Sequence, residues 1–366
     1  MDGDPEAFRR ALREGHAEEL TFEGLRYVRV TGDRGELGRG TVLIGSRAVP
    51  IYPSIGRIFV LGEGVRANLT GPFAAEEKID GYNVRVVCHE GELLAFTRGG
   101  YVCPFTTDRL LDLADLGPLF DERPDLVLCA EIAGPHNPYL HARVPHVDDD
   151  VALFAFDLME RDAPGFLPFE QRAELLDRHG VPRVPFVGRF EPEDAGPLAD
   201  AVRGLHAQGS EGVVLKPLGD GRRVKYVTPA SNLQDVVEDA SLLAELPPQF
   251  FAGRLLRLAV GMDELGLDAE APRMAARLGR ALLGDCEEAI REFRRRGVVA
   301  QTYTVRLRHE HRADALLERL GTSSVVSVRE VQRTRVDGMV ELTFRKTFQR
   351  ATGHLASMLA GKVEID

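Results

Sequence analysis

Apolar and polar positions change their period several times along the chain, and each change marks a new kind of element. Pro5 to Arg13 carries its apolar residues at helical spacing; alternating stretches follow at Leu25 to Val30 and Thr41 to Ile44, separated by a Gly-rich run from Gly32 to Gly40. Residues 1–64 therefore read as an N-terminal β-rich module. From 65 to 240 the pattern is one of short β-prone runs. Val84 to Cys88 and Leu93 to Arg98 flank Glu90-Gly91, while Leu126 to Ile132, Val151 to Leu158 and Gly212 to Leu215 are largely apolar, β-prone runs. Helical segments at Phe169 to Arg178 and Pro197 to Ala207 interrupt them irregularly, which excludes a repeating βαβ series.

A compositional break falls at Pro247-Pro248. Beyond it, Phe250 to Arg296 has strong helix formers with apolar spacings of three and four, predicting two or three packed helices over 241–297. The tail, 298–366, returns to alternation, with Tyr303, Val305 and Leu307 on one face and Thr304, Arg306 and Arg308 on the other. Asp337-Gly338 predicts a tight hairpin between two more strands. The fold class is α+β: antiparallel sheets with flanking helices, an N-terminal β module, a helical module and a small C-terminal α+β domain.

Composition narrows the chemistry. The 366 residues are 28% charged with a net charge of −11, so any site for a polyanion must be local. No apolar run is long enough to span a membrane, and the first residues lack a signal core, which predicts a cytoplasmic protein. Four scattered cysteines, Cys88, Cys103, Cys129 and Cys286, read as reduced. Only five of the 46 basic residues are lysine: Lys78, Lys216, Lys225, Lys346 and Lys362. Arginine stays charged at any biological pH, whereas a lysine amine can lose its proton and attack an electrophile. One lysine alone reads as solvated surface; the contexts of three of them do not.

Lys78 stands in Glu76-Glu77-Lys78-Ile79-Asp80-Gly81-Tyr82-Asn83, just ahead of an apolar strand. Lys216 ends the strand Gly209-Ser210-Glu211-Gly212-Val213-Val214-Leu215-Lys216, and Lys225 follows in Arg223-Val224-Lys225-Tyr226, where Arg223 and Lys225 share a face. Cations clustered beside carboxylates suit phosphate chemistry with a divalent ion.

Taken in order, these segments resemble the covalent nucleotidyltransferase superfamily of ATP-dependent ligases and mRNA capping enzymes. Thr97-Arg98-Gly99, Glu131-Ile132-Ala133-Gly134 and Phe156-Asp157-Leu158 fall where that superfamily keeps an Arg, a Glu and an aromatic residue. The resemblance covers about residues 70 to 230. Asn83 stands two residues past Gly81, where DNA ligases and capping enzymes usually carry Arg and one group of RNA ligases carries Asn. With the helical block and α+β tail, the chain is most similar to the archaeal-type ATP-dependent RNA ligases, which form homodimers through a helical module.

The resemblance implies a nucleotidyltransferase (ATP-grasp-like) core at 65–240 and a role for each motif residue. Lys78 would attack the α-phosphorus of ATP. Glu77 would lie near the adenine, Phe156 would stack on it, and Arg98 and Glu131 would hold the ribose. Glu211 would place Mg²⁺ (or Mn²⁺) or its waters, Lys216 and Lys225 would neutralise the phosphates, and Asp80 and Asn83 would orient later steps. AMP would then pass to a 5′-phosphate on single-stranded RNA, and a 3′-hydroxyl would displace it, joining two ends or closing a circle. The last motif usually reads Lys-x-Lys; here its first position is Arg223. A DNA ligase or capping guanylyltransferase is the neighbouring reading, and an RNA-binding protein on a dead fold is the reading from another class.

Two further signals stand apart. His136, His141 and His146 precede Asp148-Asp149-Asp150, but the prolines at 135, 138 and 145 make this a loop, and no dedicated metal site is expected. Gly219-Asp220-Gly221 reads as a turn rather than a phosphate loop. The tail carries +3 net charge over 298–366, and Arg306, Arg308, Arg333, Arg335, Arg345 and Lys346 are candidates to line one sheet face and grip RNA.

Overall fold

A computed structural model describes residues 5–362 apart from 34, 36, 142, 143, 162–164, 220 and 323–325, so the Gly219-Asp220-Gly221 turn lies partly outside the described residues. Four sheets carry the molecule. The strands Ala17–Phe22, Leu25–Val30, Val42–Ile44 and Arg47–Val49 form an antiparallel N-terminal sheet, and helix Pro5–Arg13 buries Phe8 and Ala11 against it.

The centre is a four-stranded antiparallel sheet of Tyr82–His89, Glu92–Thr97, Leu126–Ala133 and Ala152–Glu160. Both of its faces are covered, which is why its strands read as largely apolar runs. Val87, Leu94, Phe96, Val127 and Cys129 face the N-terminal sheet through Tyr27, Val42 and Ile44. Val84, Val86, Leu128, Ala130 and Ile132 face the other way, into a core completed by Tyr303, Val305, Leu307, Val340, Leu342 and Phe344 of the tail. The tail forms the expected strands, Ala300–Leu307, Val326–Val336 and Met339–Phe348, with helix Glu310–Gly321. It does not close a core of its own, however, because its inward faces are buried in the central one.

A five-stranded sheet runs Phe186–Phe190, Phe73–Lys78, Gly212–Pro217, Val224–Val227 and Gly56–Arg57. Its last strand pairs parallel with Val224–Val227, and helix Leu61–Asn68 packs beneath it through Leu61 and Val65. A boundary at residue 64 therefore falls inside that helix. The N-terminal sheet itself ends at Val49, because the chain after it turns to join the other layer.

The helices Pro229–Asp239, Pro248–Leu265, Ala271–Arg280 and Cys286–Arg296 form the helical module. Its core is thin, built around Leu233, Leu258 and Met274. Among the described residues, no helix is long and apolar enough to cross a membrane.

Arg85 ties the layers together. It is wholly buried and has no carboxylate partner among the described residues. Its guanidinium donates to the carbonyls of Val49 (3.3 Å), Pro50 (2.7 Å), Gly40 (2.8 Å) and Thr97 (2.9 Å). Burial pulls its pKa down to about 10, still charged at neutral pH. Arg85→Met would take a donor from each of these carbonyls, of which Thr97 keeps the Gly100 N–H. We expect a loss on the order of 3 kcal/mol, measured as a lower denaturant midpoint of the whole chain.

Candidate active site

Strand register brings the separated motifs together. Gly212 lies opposite Lys78, Val213 opposite Glu77, and Val214 opposite both Glu76 and Lys225. In the central sheet Asn83 lies opposite Glu131. Two motif glycines make this approach possible. A Cβ on Gly81 would stand 2.4 Å from the Ile132 carbonyl oxygen, and one on Gly212, at φ +154°, would stand 2.0 Å from that of Tyr226. Neither position admits a side chain without moving a strand.

Between the central sheet and the five-stranded sheet lies a cleft. Glu77, Lys78, Asn83, Arg98, Glu131, Phe156, Lys216 and Lys225, all singled out above, line it. Ile79, Val184 and Val214 give it apolar walls, and Tyr52, Pro53 and Ile55 add a roof that no motif signalled. Asp80 and Glu211 do not line it. They border a smaller opening on the far side of Lys78.

Lys78 Nζ lies 2.5 Å from Glu211 Oε2. Burial works to lower the amine's pKa, but Glu211, Glu131 and Asp80 together outweigh it and hold the pKa above the ordinary lysine range. Burial, with Glu211 repelling, pushes Asp80 up to about 8 and Glu131 up to about 7. In the free protein Lys78 is therefore an ammonium among carboxyl groups. Opposite it, the cations of the cleft wall are open. Lys225, held below the ordinary lysine range by burial and by Lys78 and Arg57, makes no ion pair among the described residues. Arg98 donates only to Ser54 Oγ, at 2.7 Å. Asn83 Oδ1 is buried and has no partner.

Behind the cleft lies a buried charge cluster that the motifs only hinted at. Lys216 Nζ reaches Glu76 (2.6 Å), Asp157 (3.3 Å) and the Phe156 carbonyl (2.5 Å). Arg172 grips Glu76 with both terminal nitrogens (2.5 and 3.1 Å) and also bonds the Phe156 carbonyl. Arg223 turns away from the cleft, pairing with Asp157, donating to Tyr52 Oη at 3.2 Å and lying 3.5 Å over the Phe166 ring. Its guanidinium positions Asp157 instead of facing the cleft beside Lys225. Glu76, Asp157, Arg172 and Tyr52 were not singled out from sequence; the available signal was a carboxylate inside an apolar strand, as at Phe156-Asp157-Leu158.

The three histidines separate. His146 bonds both carboxylate oxygens of Glu77 at 2.9 Å, His136 lies near Asp149 and Asp150, and His141 stacks on Tyr303. The five tail arginines also separate. Arg306 and Arg345 point away from the core, with Arg306 paired to Asp149 and Glu341. Arg333, opposite buried Leu342, turns to Glu310, Asp314 and Glu330; Arg335 turns to Glu310, and Arg308 to Asp112. Lys346 faces inward. No single face of the tail carries all of them, because neighbours along a strand alternate.

A family model described as RNA ligase matches residues 71–227, and one described as the C-terminal region of ligase Pab1020 matches 239–362. An Aquifex aeolicus protein, provisionally named an ATP-dependent DNA ligase, superposes with a TM-score of 0.92 at 38% identity, covering 99% of this chain and 100% of its own. An archaeal ATP-dependent RNA ligase superposes with a TM-score of 0.88 at 30% identity, over 98% of this chain and 96% of its own. An uncharacterized protein of Methanocaldococcus jannaschii is 26% identical over 324 residues, 86% of this chain and 79% of its own.

Fold and cleft together are those of a nucleotidyltransferase-type ligase. The chain belongs to the archaeal-type ATP-dependent RNA ligase family; a DNA ligase is the weaker fit.

The raised Asp80 carboxyl has a consequence for stability. The folded chain holds this proton more tightly than the unfolded one, so its contribution is complete below about pH 4 and is lost as pH rises to about 8. Asp80→Asn should melt close to the wild type near the lower limit and increasingly above it towards the upper one. Thermal melts across this window check it; a constant offset would contradict the assignment.

Proposed function

We propose that Lys78 is the nucleophile that carries AMP. Its Nζ would attack the α-phosphorus of ATP, forming a P–N bond and expelling pyrophosphate, while the amine's proton leaves along the hydrogen bond to Glu211. The observation carrying this reading is the pairing of Lys78 and Glu211 at 2.5 Å on the edge of a cleft two of whose other cations, Lys225 and Arg98, have no carboxylate partner among the described residues. Such cations are ready-made acceptors for phosphate charge, and they favour the transition state as that charge builds. Phe156 would stack on the adenine, Glu77 with His146 would close that end, and Arg98 and Glu131 would hold the ribose. The orphaned Asn83 Oδ1 would find a donor on the bound substrate, and Asp80 would act in the later steps. Lys216, tied to Glu76 and Asp157, would support the phosphates from behind the cleft.

Among the described residues no three His, Cys, Asp or Glu side chains are grouped to hold a metal. That donor set fits an ion such as Mg²⁺ or Mn²⁺, held by one carboxylate and substrate phosphates rather than by a protein cage. Glu211 would hold it, and its charge would screen the phosphates.

AMP would next pass to the 5′-phosphate of an RNA strand. A 3′-hydroxyl oxygen would then attack that phosphorus, forming the phosphodiester and releasing AMP, between two strands or within one. Of the tail arginines, Arg345 is the outward one with no carboxylate partner among the described residues and would meet RNA; Arg306, Arg308, Arg333 and Arg335 are engaged by carboxylates. A cytoplasmic homodimer through the helical module is the accompanying assembly, supported by Leu256 and Leu283, 68% and 72% exposed.

With α-labelled ATP and Mg²⁺, the wild type should retain label on the protein, Lys78→Ala should retain none, and Lys225→Ala should slow labelling by about 100-fold or more. Persisting label on Lys78→Ala refutes the assignment. Offering 5′-phosphorylated RNA against nicked DNA separates RNA ligase from DNA ligase. Light scattering of the purified chain should give twice the chain mass.

A further inference from the structure

On the side of Lys78 away from the nucleotide cleft, Asp80 and Glu211 also border a second, larger cleft between the catalytic core and the tail. Its two walls differ in character. One is rich in carboxyl groups, with Asp80, Glu211, Asp235, Glu238 and Asp239 beside Arg57 and Arg254; Glu211 is paired with Lys78 and Asp235 with Arg254. The other carries His141, Tyr303 and Lys346. The ring of exposed His141 lies 4.2 Å from that of Tyr303 at 16°, and Tyr303 lies 5.5 Å from Phe344 at 10°. Three rings thus form a ladder that begins in the core and ends at the cleft. Burial and the Lys346 ammonium hold His141 below the ordinary histidine range, so the last ring is neutral at neutral pH.

Lys346 is the second, independent observation. It is only 8% exposed and makes no ion pair among the described residues. Its Nζ donates to the Tyr139 carbonyl at 3.2 Å and lies 4.0 Å over the Tyr303 ring. A lysine so far removed from water normally has a carboxylate beside it. Here the missing counterion points to an anionic ligand. A flat neutral ring and an unpaired cation are what a nucleotide base and its phosphate need.

The opposite wall selects which end of a strand enters. The carboxyl oxygens of Asp80 and Glu211 can accept hydrogen bonds from the ribose hydroxyls that a 3′ end presents and a 5′-phosphate does not. We propose that this cleft seats the 3′-terminal nucleotide of the RNA acceptor strand, its base extending the ring ladder from His141, its phosphodiester at Lys346 and its hydroxyls towards Asp80 and Glu211. This rests on the RNA-ligase reading above and assigns the route by which the 3′-hydroxyl reaches the nucleotide at Lys78. His141 and Lys346 are positioning residues for the sealing step.

The experiment separates the three steps. Full-length wild type, His141→Ala, His141→Phe and Lys346→Met are compared in self-adenylylation with labelled ATP, in AMP transfer to a 5′-phosphorylated RNA, and in sealing of a 5′-adenylylated RNA to a separate 3′-hydroxyl acceptor. His141→Ala should raise the acceptor concentration for half-maximal sealing by about tenfold or more, and His141→Phe should restore it. Lys346→Met should raise it as well and flatten its salt dependence by about one phosphate contact. The first two steps should stay within about twofold of the wild type, which also shows that the variants are folded. Unchanged sealing by His141→Ala beside an active wild type overturns the cleft assignment alone, as does an equal loss in AMP transfer, which would assign the cleft to the 5′ end. A wild type that loads AMP yet seals no RNA overturns both readings.

Discussion

Two sheets meet at the nucleotide cleft, and the buried charge cluster of Glu76, Asp157, Arg172, Lys216 and Arg223 holds them in register. Glu76 belongs to the strand that ends in Lys78, Asp157 follows the cleft-lining Phe156, Arg172 and Lys216 bridge these two carboxylates across the gap, and Arg223 pairs with Asp157. Charges so deeply buried are stable only while every partner stays in place, since loss of one leaves an uncompensated ion in a low-dielectric interior. The sheets therefore cannot slide past one another without breaking the whole cluster. The distance from the nucleophile to the Phe156 wall is set by the same contacts.

The cleft has the opposite electrostatics. Where each cation of the cluster behind it has a carboxylate partner, the cleft presents, among the described residues, Lys225 and Arg98 without carboxylate partners and an Asn83 oxygen without a donor. Lys78 sits at the boundary between this cationic wall and the carboxyl groups of Asp80, Glu131 and Glu211, which keep its amine protonated in the free protein. Such a nucleophile is guarded: it becomes reactive only when bound substrate and cation change the balance of charge around it. Stability is given up locally, as the raised carboxyls show, to keep the site poised.

The tail is part of this arrangement and not an appendage to it. Asp108 accepts from the Arg308 backbone N–H at 2.5 Å and contacts His309 at 2.6 Å, Arg109 donates to the Arg306 carbonyl at 2.8 Å, and Arg312 reaches back to Glu23 of the N-terminal sheet at 2.8 Å. These contacts, with the shared core, hold the tail sheet as the far wall of the cleft that opens on Asp80 and Glu211. The central sheet supports a β layer on each side, and the chemistry gathers where the layers' edges come together.

Much of this was legible along the chain. The scarcity of lysine isolated Lys78, Lys216 and Lys225, and the short apolar runs announced antiparallel sheets. Local periodicity and residue chemistry carry such information because each depends on neighbours a few positions away. Tertiary structure alone decided the rest. Arg223 was legible as a cation sharing a face with Lys225, but only the position of Asp157, 66 residues earlier, turned it from the cleft. The tail arginines were legible as positive charge, but strand pairing and Glu310, Asp314 and Glu330 divided them. The sequence by itself determined the α+β class, the motif order and the lysines that stand in the motifs; which cations are satisfied and which stand open was settled by folding, because an ion's partner is a matter of distance in space and not of spacing along the chain.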